Sequence, residues 1–394
     1  MRIAFVARRW WPAVGGVESF ARHLARGLGE RHEVSVLAHR VDHGPTTRLT
    51  DSLRQPPAFT PFDDGPVRVV PLRIPAGRRA ALLPLLAHVT PGLRRYAYGR
   101  SRAPAGRLYA RAVGPLVAQH ATGADVVHMW GSDLVAAASV RGARLAGVPV
   151  AITPFAHERQ WGDDPASAAA YREADAVVAL LETDADVYRR LGAPASRVEV
   201  CGVCSPGVQS GGGSGLRERL GITGPLVLFL GVRRPYKGYD VLLEAIPHVA
   251  ATRPDVTFAF VGPGDPIEAD GPPRVIDVGE ADDAERADWL DAADLMCLPS
   301  AGEIFPVSIL EAWSVGTPVL TSEIPTLHEL VDRSGGGATA PREPEAVAEA
   351  IVALLAEPER LQALGESGHR FWKAHHTVEA VTRWHEELYE RLSR

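Results

Sequence analysis

The sequence predicts an α/β protein built from two doubly wound, parallel-sheet domains. Short apolar runs alternate with helical patterns through the first half of the chain, the same rhythm restarts after residue 217, and a glycine- and serine-rich stretch separates the two series. In the first half the opening strand is Arg2 to Val6, followed by a glycine-bearing loop. A helix comes next with Val17, Phe20, Ala21, Leu24 and Leu28 on one face, and then a strand from Glu33 to Ala38. Further strands read at Val67–Pro71, Asp125–Met129, Pro149–Thr153, Asp175–Leu180 and Val198–Cys201. SPGVQSGGGSG, from Ser205, reads as a linker covering 205–216. Beyond it, strands at Leu226–Leu230, Val256–Val261, Arg274–Asp277, Asp294–Leu298, Pro318–Ser322 and Gly337–Thr339 alternate with helices. Pro344 to Ala356 and Thr377 to Leu392 are the closing helices. The expected organisation is therefore 1–204, linker 205–216, 217–376, and a terminal helix over 377–394.

Length and composition agree with two cored domains. The chain has 394 residues, 46% of them hydrophobic, which excludes a disordered protein. Its net charge of −6 conceals an asymmetry. Residues 1–205 hold 26 Arg against 18 acids (26 − 18 = +8), and residues 206–394 hold 16 Lys+Arg against 30 acids (16 − 30 = −14). No run reaches the roughly 18 apolar residues of a membrane span, and the opening MRIAFVARRWWP meets arginines too early for a secretory signal. A cytoplasmic location is expected. Three cysteines include the lone pair Cys201 and Cys204, with no second pair to complete a zinc site, and a reducing compartment suits them. An acidic chain without a nucleic-acid motif is not expected to bind nucleic acid.

Two stretches of the second half carry the chemistry. PSAGEIFPVSILEAWSVGTPVLTSEIPTLHE, from Pro299, sets Glu303 and Glu311 eight residues apart across the start of a helix expected from Pro306 to Val315 and packed through Ile309, Leu310 and Trp313. Pro306 suits the first helical position. At the carboxyl edge of an open sheet, the N–H groups at such a helix start suit a diphosphate. LGVRRPYKGYDVLLEAI places Lys237 directly after an apolar strand, at the opening of a helix. Only two of the 42 basic residues are lysines, Lys237 and Lys373, so a lysine retained here is informative. Its compact ammonium meets a phosphate as a point charge, and Arg233 or Arg234 offers a planar fork.

Ser300, Glu303, Phe305, Glu311, Ala312, Gly316, Pro318 and Val319 fall in the order of the donor-site motif of the family-4 retaining glycosyltransferases, which this segment resembles. Pro306 stands where that family usually has Gly, which removes one backbone N–H and leaves amide contacts to Phe305 and Val307. The basic pair resembles the family's Arg and Lys-Gly, although Val232 follows Gly231 where the family has Arg. The resemblance implies the GT-B architecture: two Rossmann-like domains facing across a cleft, the terminal helix crossing back to the first. It implies transfer of a sugar from a nucleoside-diphosphate sugar to an acceptor hydroxyl with retention of configuration, and no obligatory metal or other cofactor. Glu303 would then face the sugar hydroxyls, Glu311 the ribose, and Lys237 with Arg233 or Arg234 the leaving diphosphate.

Thinner islands of resemblance lie in the first half. PAVGGVE, from Pro12, resembles the family's Gly-Gly-x-Glu loop, in which Gly15 and Gly16 let backbone approach a ligand. ITPFAHERQW puts His157 past a strand ending at Thr153, where the family commonly has a histidine near the reacting sugar; His128 is a weaker candidate. Asp163–Asp164 and Asp282–Asp283 read as loop acids rather than metal ligands, and His375–His376 as part of a solvated helix. Ten arginines and no acid lie between Gly65 and Ala124, from Arg68 to Arg111, a pattern that suits an anionic bilayer or acceptor and a peripheral place at the inner membrane face. The rivals are a nucleotide-sugar epimerase of the same fold, a nicotinamide dehydrogenase and a non-catalytic binding module. VGPGDP lacks the third glycine a dehydrogenase needs, and the intact Glu303, Glu311 and Lys237 argue against loss of catalysis.

Overall fold

A computed structural model describes residues 1–13, 15–42, 59–88, 102–157, 161–209, 211–267 and 273–394. The chain divides into two compact units, one of Met1–Cys204 with Val381–Arg394, the other of Ser205–Ala380. Among the described residues no helix is long and apolar enough to cross a membrane.

The first unit is an eight-stranded sheet in the order β3-β4-β2-β1-β5-β6-β7-β8. Its strands are β1 (Arg2–Arg9), β2 (Glu33–Arg40), β3 (Phe62–Asp64), β4 (Val67–Pro71), β5 (Val126–Trp130), β6 (Val150–Thr153), β7 (Ala176–Ala179) and β8 (Val198–Val200). All neighbours run parallel except β3, which pairs antiparallel with β4 at the edge. That three-residue strand is too short to show a period, so the sequence gives no sign of it. The central strands are apolar on both faces because helices cover both, the pattern expected of a parallel sheet. The helix Val378–Ser393 contributes Val381, His385, Leu388 and Tyr389 to this core, and ties its polar face down through Glu386 to His32 (2.8 Å) and Arg391 to Glu199 (2.8 Å).

In the second unit six parallel strands run in the order β11-β10-β9-β12-β13-β14, with β9 at Leu226–Leu230, β10 at Thr257–Val261, β11 at Arg274–Gly279, β12 at Leu295–Leu298, β13 at Val319–Ser322 and β14 at Gly337–Ala340. Strand order reverses between β9 and β12, which pair through Leu228 and Met296. Loops leaving two such strands open a crevice at their carboxyl ends.

Three local expectations are corrected. The glycine-rich end of the expected linker is the start of a packed helix, Gly213–Leu220; the Asp291 carboxylate accepts from Gly211 N and Gly213 N (3.0 Å each). A Cβ at Gly213 would lie 2.6 Å from Ala292 N, so this glycine serves close approach rather than flexibility. The helix expected from Pro306 spans Val307–Ser314, with Pro306 as its N-cap in extended backbone. His376 is buried at the end of the helix Pro358–His375, its ring 5.1 Å from Phe371 and 5.4 Å from Phe305, whereas His375 is exposed.

Candidate active site

The loops leaving β9 and β12 are joined to each other by backbone contacts. Ala301 N donates to Tyr236 O at 2.7 Å. Gly238, with φ +80°, lies so close that a Cβ would be 2.0 Å from Pro299 O, so any larger residue there would force the loops apart. Arg342 bridges the same pair, Nε to Pro299 O at 3.0 Å and a terminal nitrogen to Pro235 O at 2.7 Å. Lys237 therefore sits not on the long helix itself but on a 3-10 turn, Pro235–Lys237, preceding the helix Tyr239–Ala250.

These contacts bring Lys237 and Glu303 together. The Lys237 ammonium donates to both carboxylate oxygens of Glu303, at 2.7 and 2.8 Å, and the Ser300 hydroxyl donates to Oε1 at 2.8 Å. Thr326 Oγ1 holds the Glu303 carbonyl at 3.1 Å, and Ser322 Oγ donates to Ser300 O. Side-chain exposure is 20% at Lys237 and 7% at Glu303, so the pair opens to solvent mainly through its ammonium. An anion arriving there competes with Glu303 for the ammonium, and a phosphate oxygen that takes one of its protons frees a carboxylate oxygen for another donor.

Glu311 has a different partner. Arg286, on the helix Asp283–Ala292, reaches its Oε1 at 3.1 Å. Burial raises the Glu311 carboxyl above its usual range; Arg286 opposes that shift and Asp283 adds to it. Arg233 is buried, donating to Asp277 at 2.7 Å and to Gly262 O at 3.2 Å, which fastens its loop to the strands beside it. Arg234 is exposed. Phe305 is buried against His376, and Val307 opens the helix that carries Glu311.

The remaining candidates belong to the first unit. Gly15 is the N-cap of the helix Gly16–Gly29 and lies against the Arg9–Glu18 ion pair, while Gly16 faces open space. His157 is half-buried and pairs backbone to backbone with Trp161 (2.9 and 3.0 Å), their rings 4.0 Å apart. Phe155, two residues earlier, has φ +51°, and its carbonyl accepts from Trp161 Nε1 at 2.8 Å. A non-glycine residue in the left-handed region costs energy, and here the Trp161 contacts hold it. His128 is a core residue: Nε2 meets Thr153 Oγ1 at 2.8 Å, Nδ1 meets the Tyr389 hydroxyl, and burial drives its pKa well below the usual value. Asp164 and Asp282 are helix N-caps, accepting from Ala166 N and Glu285 N (2.9 Å each). Cys201 and Cys204 are buried, which raises both thiols, Cys204 to about 12, and makes them poor nucleophiles. Of the arginine belt, Arg94, Arg95 and Arg100 lie outside the described residues.

Sequence reasoning missed Arg342 and Arg286. Nothing local marks either, since each meets its partner only after the strands are ordered in the sheet.

Known proteins share this architecture. The family profile "Glycosyl transferase 4-like domain" matches residues 15–204, and "Glycosyl transferases group 1" matches residues 224–357. The chain is similar to the phosphatidyl-myo-inositol mannosyltransferase of Mycobacterium leprae, 37% identical over 140 residues, 34% of this chain and 37% of that protein. It is 30% identical over 239 residues to the D-inositol 3-phosphate glycosyltransferase 2 of Catenulispora acidiphila, 52% of this chain and 55% of that one. The matched stretch thus spans little more than a third to about half the length of these relatives. The crystal structure of Anabaena Alr3699/HepE in complex with UDP and glucose has the same fold, with a TM-score of 0.68 at 18% identity over the whole of both chains.

Proposed function

Because this chain belongs to the group 1 glycosyltransferases, with a family-4-like first domain and a GT-B fold, we propose that it moves a sugar from a nucleoside-diphosphate sugar to an acceptor hydroxyl with retention of configuration. The observation that carries this reading is the Lys237–Glu303–Ser300 cluster at the strand reversal of the second unit. In such a transfer the leaving diphosphate gains negative charge and the sugar gains positive charge. Lys237 meets the first, with exposed Arg234 as the second cation, while Arg233 keeps their loop in place through Asp277. Glu303, displaced from Lys237 by the diphosphate, accepts hydrogen bonds from sugar hydroxyls. Glu311 takes the ribose, with Arg286 opposing the upward shift that burial gives its carboxyl. The reaction uses no metal.

Acceptor recognition falls to the first unit, with His157 as its residue, and the Gly15–Gly16 loop lies near both the donor phosphates and the acceptor. The relatives' names share an inositol ring, so inositol-bearing acceptors are the first to try, and UDP is the first nucleotide. The arginines of residues 68–111 make a peripheral contact with an anionic membrane at its cytoplasmic face.

The test is calorimetry with nucleoside diphosphates, followed by transfer assays with the matching donor, with and without chelator. Tight nucleotide binding and a new glycoside with retained configuration are expected. An epimerised donor in the absence of acceptor, or nucleotide binding with no product from any acceptor, would replace transfer by one of its rivals.

A further inference from the structure

The described arginines of the belt fall into two groups. Arg68 pairs with Asp63 at 2.9 Å, Arg73 donates to Phe59 O and Arg78 to Ala112 O, each at 3.2 Å, so these three are engaged by their own chain. Arg107 and Arg111 are different. They stand one turn apart on the exposed face of the helix Arg102–His120, and the helix Leu134–Ala146 brings Arg141 and Arg144 to the same place. A groove of about 380 Å³ lies between these helices and the helix Pro165–Glu173. Ala110, Val140, Ala166 and Ala170, all buried, form its floor, and Leu145, 54% exposed, stands on its rim. Its one lining carboxylate, Glu173, is taken by Arg144 at 2.6 Å. Among the described residues no carboxylate pairs with Arg107, Arg111 or Arg141. Like charges one turn apart repel, and among the described residues neither arginine has a carboxylate partner to offset this.

We propose that this groove is a docking site for the phosphate head group of an anionic phospholipid in a bilayer. The proposal rests on the peripheral-contact reading above and moves the contact from the belt as a whole to these helices. Guanidinium forks match phosphate oxygens two at a time. The rest of the groove decides between a lipid and a soluble anion. A free phosphate uses only the arginines and leaves Leu145 in water, whereas a phospholipid sets its glycerol and first methylenes against that exposed side chain. The volume corresponds to roughly a dozen waters, enough for a head group and too little for a folded partner.

Full-length protein is sedimented with phosphatidylglycerol vesicles and with phosphatidylcholine vesicles, at low and physiological salt. Arg111→Gln with Arg141→Gln is compared with Arg360→Gln plus Arg370→Gln, which removes the same charge from two exposed arginines of the second unit. At about fivefold per basic residue, the groove pair should weaken phosphatidylglycerol binding on the order of twentyfold and the control pair less than twofold. Leu145→Ser, which keeps the charge, should also weaken it, and nucleotide binding should stay unchanged throughout. Equal losses in the two double variants would remove the groove and leave a contact elsewhere on the belt. A wild-type protein that ignores phosphatidylglycerol at low salt would end both readings, without touching glycosyl transfer. Displacement of the vesicles by inorganic phosphate at constant ionic strength, with Leu145→Ser unaffected, would make the groove a soluble-anion site and overturn the lipid assignment.

Discussion

Each unit has a strand reversal at the centre of its sheet, between β1 and β5 in the first and between β9 and β12 in the second, and the two are furnished oppositely. In the second, the loops beyond the strands carry a lysine, a glutamate and a serine that meet at hydrogen-bond distance and remain partly open to water. In the first, β5 ends in His128 and Trp130, stacked at 4.3 Å, and the terminal helix covers them with His385 and Tyr389. Here burial has silenced the titratable groups. The same topology thus yields a charged site where loops meet at the surface and a neutral aromatic core where a helix seals the strand ends. Electrostatic chemistry needs fixed charges that are desolvated but reachable, which the Lys237–Glu303 pair at the second unit's reversal provides.

The sharpest way to break this contrast is Lys237→Ala. It should lower turnover by two to three orders of magnitude, about 3–4 kcal/mol, with an unchanged melting temperature. Wild-type turnover in the folded variant would remove the charge from the second unit's site. For the first unit the contrast predicts acid sensitivity. His385 is held near pKa 4 by burial, against an ordinary 6.5, so the folded state binds its proton more weakly than the unfolded chain does. Its contribution is therefore fully present above about pH 6.5 and is lost as pH falls towards 4, on the order of 3 kcal/mol for the whole titration. Melting temperatures between pH 7 and 4 should fall less steeply in His385→Gln than in the wild type. Parallel curves would show that this histidine does not sense the core.

Within the second unit, Glu303 and Glu311 sharpen the division of labour. Glu311→Gln should weaken free nucleoside diphosphate by about 1–3 kcal/mol, whereas Glu303→Gln should leave that affinity nearly intact and reduce turnover with the sugar donor. Unchanged nucleotide affinity in Glu311→Gln would take its helix off the ribose. The smallest effect is expected from Arg342→Met, which removes the bridge between Pro299 O and Pro235 O: about 1 kcal/mol of stability, with a raised KM for the donor. A loss of stability with KM unchanged would make Arg342 a brace with no bearing on the site.

Much of this molecule is local information. Strand and helix alternation records which side chains face a core, and every strand expected from that pattern is present. The segment from Ser300 to Glu311 carried its two glutamates and its helix in one short run, and the scarcity of lysine singled out Lys237 before any partner was known. What local pattern cannot encode is which loop lies beside which. Glu303 faces Lys237, 66 residues away, because β12 pairs with β9, and Arg342 reaches a carbonyl 107 residues distant for the same reason. The arginine pair after β9 looked equivalent in sequence; Asp277 on the edge strand drew in Arg233 and left Arg234 exposed. The glycine run at 211–215 had the composition of a free linker, yet the approach of Asp291 and Ala292 made it a helix start. Composition and period thus determined the elements and the chemical candidates. Sheet order, which sets distance and with it desolvation, decided which candidates became partners and which were buried as structure.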